Sequence, residues 1–188
     1  MTKVINLYGP PGSGKSTTAA GIFSQLKLHD VNAELVTEFA KDLTWEKRAF
    51  TLENQIYIFG KQQHMLWRLN GQVDVIVTDS PLLLTLIYGM GSENWCKHVL
   101  ETYHNFNNKN YLINRTKSYN PSGRGQDETT SDRLAKGIKT LLDGYHIPYD
   151  IMDGNWVTIN KITNEVLTEL GLTHEYCLGN CDEEDLIA

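Results

Sequence analysis

The segment Gly9-Pro10-Pro11-Gly12-Ser13-Gly14-Lys15-Ser16 sets glycines, a lysine and a hydroxyl at the spacing G-x-x-x-x-G-K-[ST]. Glycines permit backbone angles that turn successive N–H groups toward an anion. A helix starting just beyond them adds the positive end of its dipole. Gly9, Pro11, Gly12, Ser13, Gly14, Lys15, Ser16 and Thr17 are therefore the candidate phosphate-binding residues. Lys15 is expected to reach the β and γ phosphates of a nucleoside triphosphate, and the Ser16 hydroxyl to bind Mg²⁺. The spacing is selective when it lies between a strand and a helix. Residues 4–8 are a short apolar run, and residues 16–28 carry a helical pattern.

Two acids follow apolar runs. Glu38 comes directly after residues 33–37, and Asp79 ends the run that starts at Val73. In a parallel sheet the carboxyl ends of strands face the ligand crevice, which would bring both acids to the phosphates. Glu38 could then accept or orient the proton of an attacking hydroxyl, which is general-base work, and it could contact the acceptor. Asp79 could hold Mg²⁺ or its water together with Ser16, beside the bound substrate. The plainer readings are a solvated acid at a strand end for Glu38, and for Asp79 a cap on the helix entered at Pro81. Ser80 is the better placed cap.

Cations and acceptor contacts come from further along. Arg115 sits at a strand end, and Arg124 lies between Gly123 and Gly125 in the polar segment 116–127, expected to be a lid. A guanidinium brought onto a transferring phosphate stabilises transition-state charge, and closure excludes water. Tyr57 and Gln62, with Gln63, His64 and Trp67, could line an acceptor pocket, because aromatics stack on bases and amides pair with their edges. Core packing is the plain alternative for half of them. His174, Cys177 and Cys181 lack the paired C-x-x-C that a zinc site needs.

Elements must position these groups. Strands are expected at 4–8, 33–37, 73–77, 111–113 and 147–152. Helices are expected at 16–28, 45–69, 81–88, 94–106, 130–142 and 156–170. In the long pattern 45–69, Phe50, Ile56, Ile58, Phe59, Met65, Leu66 and Leu69 are the apolar positions. Strands alternating with helices imply a three-layer α/β/α domain with a five-stranded parallel sheet and right-handed crossovers, over residues 1–172. An acidic tail, 173–188, follows.

Composition sets bounds. The 188 residues are 40% hydrophobic and 21% charged, the balance of one globular domain. The net charge of −6 argues against unspecific coating of nucleic acid, for which a Lys/Arg excess supplies most affinity. Four negative charges, Asp182, Glu183, Glu184 and Asp185, lie in the tail, so the remainder is nearly neutral. Three cysteines, Cys96, Cys177 and Cys181, without framework spacing fit a reducing compartment. With no signal-peptide pattern and no apolar stretch near 20 residues, a cytoplasmic location without membrane contact is expected.

The motifs resemble those of small P-loop kinases of the ribosylnicotinamide-kinase-like and deoxynucleoside-kinase-like groups, many encoded by bacteriophages. The resemblance spans most of the chain. Residues 8–17 are the shared P-loop (Walker A), and Val36-Thr-Glu38-Phe-Ala-Lys41 is similar to their acidic segment after strand two. Gly60-Lys-Gln62 is similar to their glutamine-bearing acceptor helix, and Thr78-Asp79-Ser80-Pro81-Leu82 resembles their D-S-P element, without the arginine found between acid and serine in the D/E-R-S form. The stretch from Arg115 to Arg124 resembles their arginine-bearing lid. The resemblance implies an ATP- and Mg²⁺-dependent kinase acting on a nucleoside or nucleotide. Phage kinases that phosphorylate a hydroxymethylated pyrimidine, some within DNA, are a related class. A nucleotide-dependent ATPase switch is the alternative of a different kind.

Overall fold

The computed structural model describes residues 1–89, 91–116 and 128–172. Among them, β1 (Lys3–Tyr8), β2 (Ala33–Val36), β3 (Val75–Thr78), β4 (Asn107–Asn114) and β5 (Asp150–Asp153) form one parallel sheet. Their order is β2-β3-β1-β4-β5. β1 is central, with Ile5 opposite both Val77 of β3 and Lys109 of β4. From β1 the chain crosses to β2 and β3 on one side and afterwards to β4 and β5 on the other, so a crevice opens at the carboxyl end of β1.

Alternation along β1 feeds two cores. Ile5 and Leu7 point to a layer built by α1 (Lys15–Leu28) and α8 (Trp156–Glu169), through Ile22, Leu26, Ile162 and Val166. Val4 and Tyr8 point to the opposite layer. That layer comprises α4 (Gln55–Trp67), α6 (Glu93–His104), α7 (Glu128–Gly144) and the 3-10 turn Leu82–Leu84, through Phe59, Leu83, Val99 and Ile138. Each fully buried aliphatic side chain contributes about 1.5–3 kcal/mol. A one-residue slip of β1 would exchange both faces at once, which fixes the register. The α/β/α sandwich expected from the sequence is present.

On the Val4 and Tyr8 face lies a buried amide network. Asn6 is 1% exposed, and its Nδ2 donates to Asn108 Oδ1 at 2.8 Å and to Asn110 Oδ1 at 3.1 Å. Asn110 also accepts from the Tyr103 hydroxyl and donates to the Pro148 carbonyl. All three amides are hydrogen-bonded, the condition under which buried amides are tolerated.

The single helix expected over 45–69 is instead three: α2 (Phe39–Trp45), α3 (Ala49–Leu52) and α4. Lys47 adopts φ 57°, which ends the helical path. Asn54 then starts α4 with its side chain accepting from the Tyr57 N–H. Phe50 and Ile56 are 86% and 56% exposed, so neither is a core position. The stretch expected to be helical from Pro81 becomes the 3-10 turn followed by α5 (Thr85–Tyr88).

Candidate active site

The first six residues of the phosphate motif leave β1 as a turn, and Lys15 opens α1. Gly9 and Gly14 have φ of 148° and 94°, values an L side chain rarely adopts. Gly14 caps α1 with no side-chain bond, so nothing of its own covers the first-turn amides that a helix leaves without acceptors. Lys15 Nζ donates to the Gly9 and Pro10 carbonyls at 2.8 and 3.1 Å, holding the ammonium over the loop. Ser16 Oγ donates to Asp79 Oδ2 at 2.5 Å, tying the first turn of α1 to the end of β3.

Asp79 is 3% exposed, and its Oδ1 has no hydrogen-bond partner. A buried carboxylate oxygen left this way is a defect unless something else satisfies it. Together with the serine hydroxyl on its other oxygen, it is the hard-oxygen donor set that Mg²⁺ prefers. The residues present therefore fit the ion expected from the sequence.

Glu38 follows β2 and stands at the N-cap of α2, with no cap bond from its side chain. Burial raises its carboxyl above the ordinary glutamate range. Lys15 pulls it down, Asp79 pushes it up, and Lys41 and Asp42 add smaller opposing effects. Tyr88 lies near enough that burial, with Glu38 second, pushes its phenol up to about 12.

A cavity of about 570 Å³ joins these groups. Its lining combines the loop, Lys15, Ser16 and Glu38 with the apolar side chains of Trp45, Leu52, Ile58, Phe59, Leu82 and Leu84, which make its apolar wall. Such a volume is within the range of small-molecule sites. Gln62 also borders it, with both ends of its amide on backbone: Oε1 accepts from the Phe39 N–H at 3.1 Å and Nε2 donates to the Thr37 carbonyl at 3.2 Å.

Other sequence candidates lie elsewhere. Tyr57 is not among the cavity residues; its ring meets Phe39 edge-on at 5.6 Å, and Lys61 lies over it at 5.8 Å. Arg115 is paired with Asp132 of α7, Nη2 to Oδ1 at 2.7 Å, and does not border the cavity either. Arg124, the rest of the expected lid from residue 117 to 127, and the tail with Cys177 and Cys181 lie outside the described residues.

Two supporting residues escaped the sequence reading. Ser131, fully buried on α7, donates to the Pro11 carbonyl at 2.8 Å and so holds the loop from the side. Gly154 lies against the loop from beyond β5; a Cβ there would meet the Ser13 carbonyl oxygen at 2.3 Å. Both are distant in sequence and belong to no motif.

A family model described as an AAA domain matches residues 4–158, from β1 into the start of α8. The chain belongs to that family. It is a P-loop NTPase-type AAA domain, and the match contains the loop, Glu38, Asp79 and Ser131, the residues that form or support the site. Comparison with curated proteins returned no match. The AAA domain has, among its described residues, no helix long and apolar enough to cross a membrane.

Proposed function

We propose that this AAA domain is a kinase that transfers the γ-phosphate of ATP to a hydroxyl of a nucleoside-type acceptor. The observation that carries the reading is the cavity itself: one cavity is lined by the phosphate loop, by Glu38 and by a set of apolar side chains. The wall of Trp45, Leu52, Ile58, Phe59, Leu82 and Leu84 suits a planar, uncharged group, such as the base of a nucleoside. Lys41 is the one cation beside Lys15 among the lining residues, which favours a neutral acceptor over a phosphorylated one.

In this reading the loop amides and Lys15 hold the β and γ phosphates. Ser16 and Asp79 hold Mg²⁺, which when bound supplies neutralisation of the phosphate charge. Glu38 takes the proton of the acceptor hydroxyl as its oxygen bonds to the γ-phosphorus. The bond from that phosphorus to the β–γ bridging oxygen breaks, and ADP leaves.

A second reading, an acceptor base carried in DNA, is favoured by Trp45, which lines the cavity yet is 63% exposed. An aromatic so placed could stack on a neighbouring base of a single strand.

The test is transfer of labelled γ-phosphate from ATP to a panel of nucleosides, nucleoside monophosphates, nicotinamide riboside, and DNA oligomers with plain or hydroxymethylated pyrimidines. Label on a free nucleoside supports the first reading, and label on oligomers alone supports the second. Label in inorganic phosphate only would replace both with an ATPase switch.

A further inference from the structure

The carboxylate on which the chemistry turns makes no cap bond with its own helix. Glu38 has φ −72° and ψ 111°, an extended residue between β2 and α2. Its backbone is held from outside, by the two bonds of Gln62 to the residues on either side of it. The amide donates at one end to residue 37 and accepts at the other from residue 39. The acceptor half satisfies the Phe39 N–H, one of the first-turn amides of α2 that have no acceptor within the helix. Gln62 is itself 5% exposed, so its amide is buried with both bonds made, while Phe39 is half-buried and Thr37 exposed. A primary amide carries a donor and an acceptor on one planar group, and asparagine, the other amide, is one methylene shorter.

We infer that Gln62 is a positioning residue. By clamping the backbone at Thr37 and Phe39 it sets the direction of the Glu38 carboxylate, and it couples that direction to α4. Phe59 and Ile58 of the same helix form part of the apolar wall, so an acceptor seated there bears on the element that aims Glu38. The inference rests on the reading of Glu38 as proton acceptor, and it assigns to Gln62 an action through Glu38, in place of direct pairing with a base.

The experiment is a double-mutant cycle of Glu38→Gln and Gln62→Met, with the acceptor panel as a fixed mixture and labelled ATP. Methionine keeps the length and removes both bonds. Turnover of Gln62→Met should fall at least about tenfold while the KM for ATP stays within about twofold, since small misplacement of a reacting group is costly and the loop is untouched. The double variant should be no slower than Glu38→Gln alone, because a residue acting through another has nothing left to position. Losses that multiply, or wild-type turnover in Gln62→Met, would overturn the inference while leaving the kinase reading intact. Wild-type turnover in Glu38→Gln would instead remove the role of Glu38 on which it rests. Should Gln62→Met not fold, Gln62→Glu serves: it keeps the Phe39 bond, opposes the Thr37 carbonyl, and should show the same non-additivity.

Discussion

Ser16 and Asp79 stand 63 residues apart in the chain, and Ser16 Oγ donates to Asp79 Oδ2 at 2.5 Å. The bond sets a hydroxyl and a buried carboxylate side by side where β1 and β3, adjacent parallel strands, both end. The second oxygen of Asp79, without a hydrogen-bond partner, is the group that a metal ion would satisfy.

Asp79→Asn should therefore weaken ATP binding about tenfold or more in Mg²⁺, because an amide oxygen is a poorer ligand than a carboxylate. In EDTA the variant and the wild type should bind ATP alike. Calorimetric titration under the two conditions checks this; an equal loss in both would show that Asp79 acts on the loop and not through the ion.

Gly154→Ala should displace the phosphate loop, since its Cβ would lie 2.3 Å from the Ser13 carbonyl oxygen, a backbone atom with little freedom. Overpacking of this kind costs about 1–3 kcal/mol. Both thermal stability and ATP affinity should fall, read by calorimetry with and without nucleotide.

Ser131→Ala removes the hydroxyl that bonds the Pro11 carbonyl, leaving the fold otherwise intact. About 1 kcal/mol of stability should be lost, the usual net worth of one such bond. ATP affinity should fall a few-fold, because the loop loses its lateral tether. An unchanged affinity would make the contact structural only.

Burial raises the Glu38 carboxyl above the ordinary range, and that fixes the sign of its pH dependence. The folded protein holds the proton more tightly than the unfolded chain does. Ionised Glu38 therefore lowers stability above its folded pKa, and the penalty disappears as pH falls below the unfolded value of about 4.5. Glu38→Gln should melt higher than the wild type at pH 7.5, and the difference should shrink as pH falls toward 4.5. Each kcal/mol corresponds to about 2–4 °C in a chain of this length. Activity should go the other way, with wild-type turnover falling as the carboxylate is protonated.

The sheet was legible because its strands are apolar where they are buried on both faces, as in Val75, Ile76 and Val77. The first half of β4 was not. Asn108 and Asn110 carry no hydrophobic period, and they enter the sheet because Asn6, about a hundred residues away, and the nearby Tyr103 satisfy their amides. The broken helix between 45 and 69 hid for the opposite reason: Phe50 and Ile56 keep the helical period of apolar residues while facing outward. In the site, Lys15 and Ser16 could be named from the loop motif, and Glu38 and Asp79 from their places after strands. Gln62 could be named but not its target, and Ser131 and Gly154 could not be named at all, since only folding brings them to the loop.

The most direct measurement counts, in one reaction with the acceptor panel, labelled phosphate transferred to an organic acceptor against labelled phosphate released to water. Transfer should exceed release in the wild type, and Lys15→Ala should abolish both. Label found only as inorganic phosphate, whatever acceptor is offered, would contradict the assignment of the apolar wall beside Glu38 as an acceptor site.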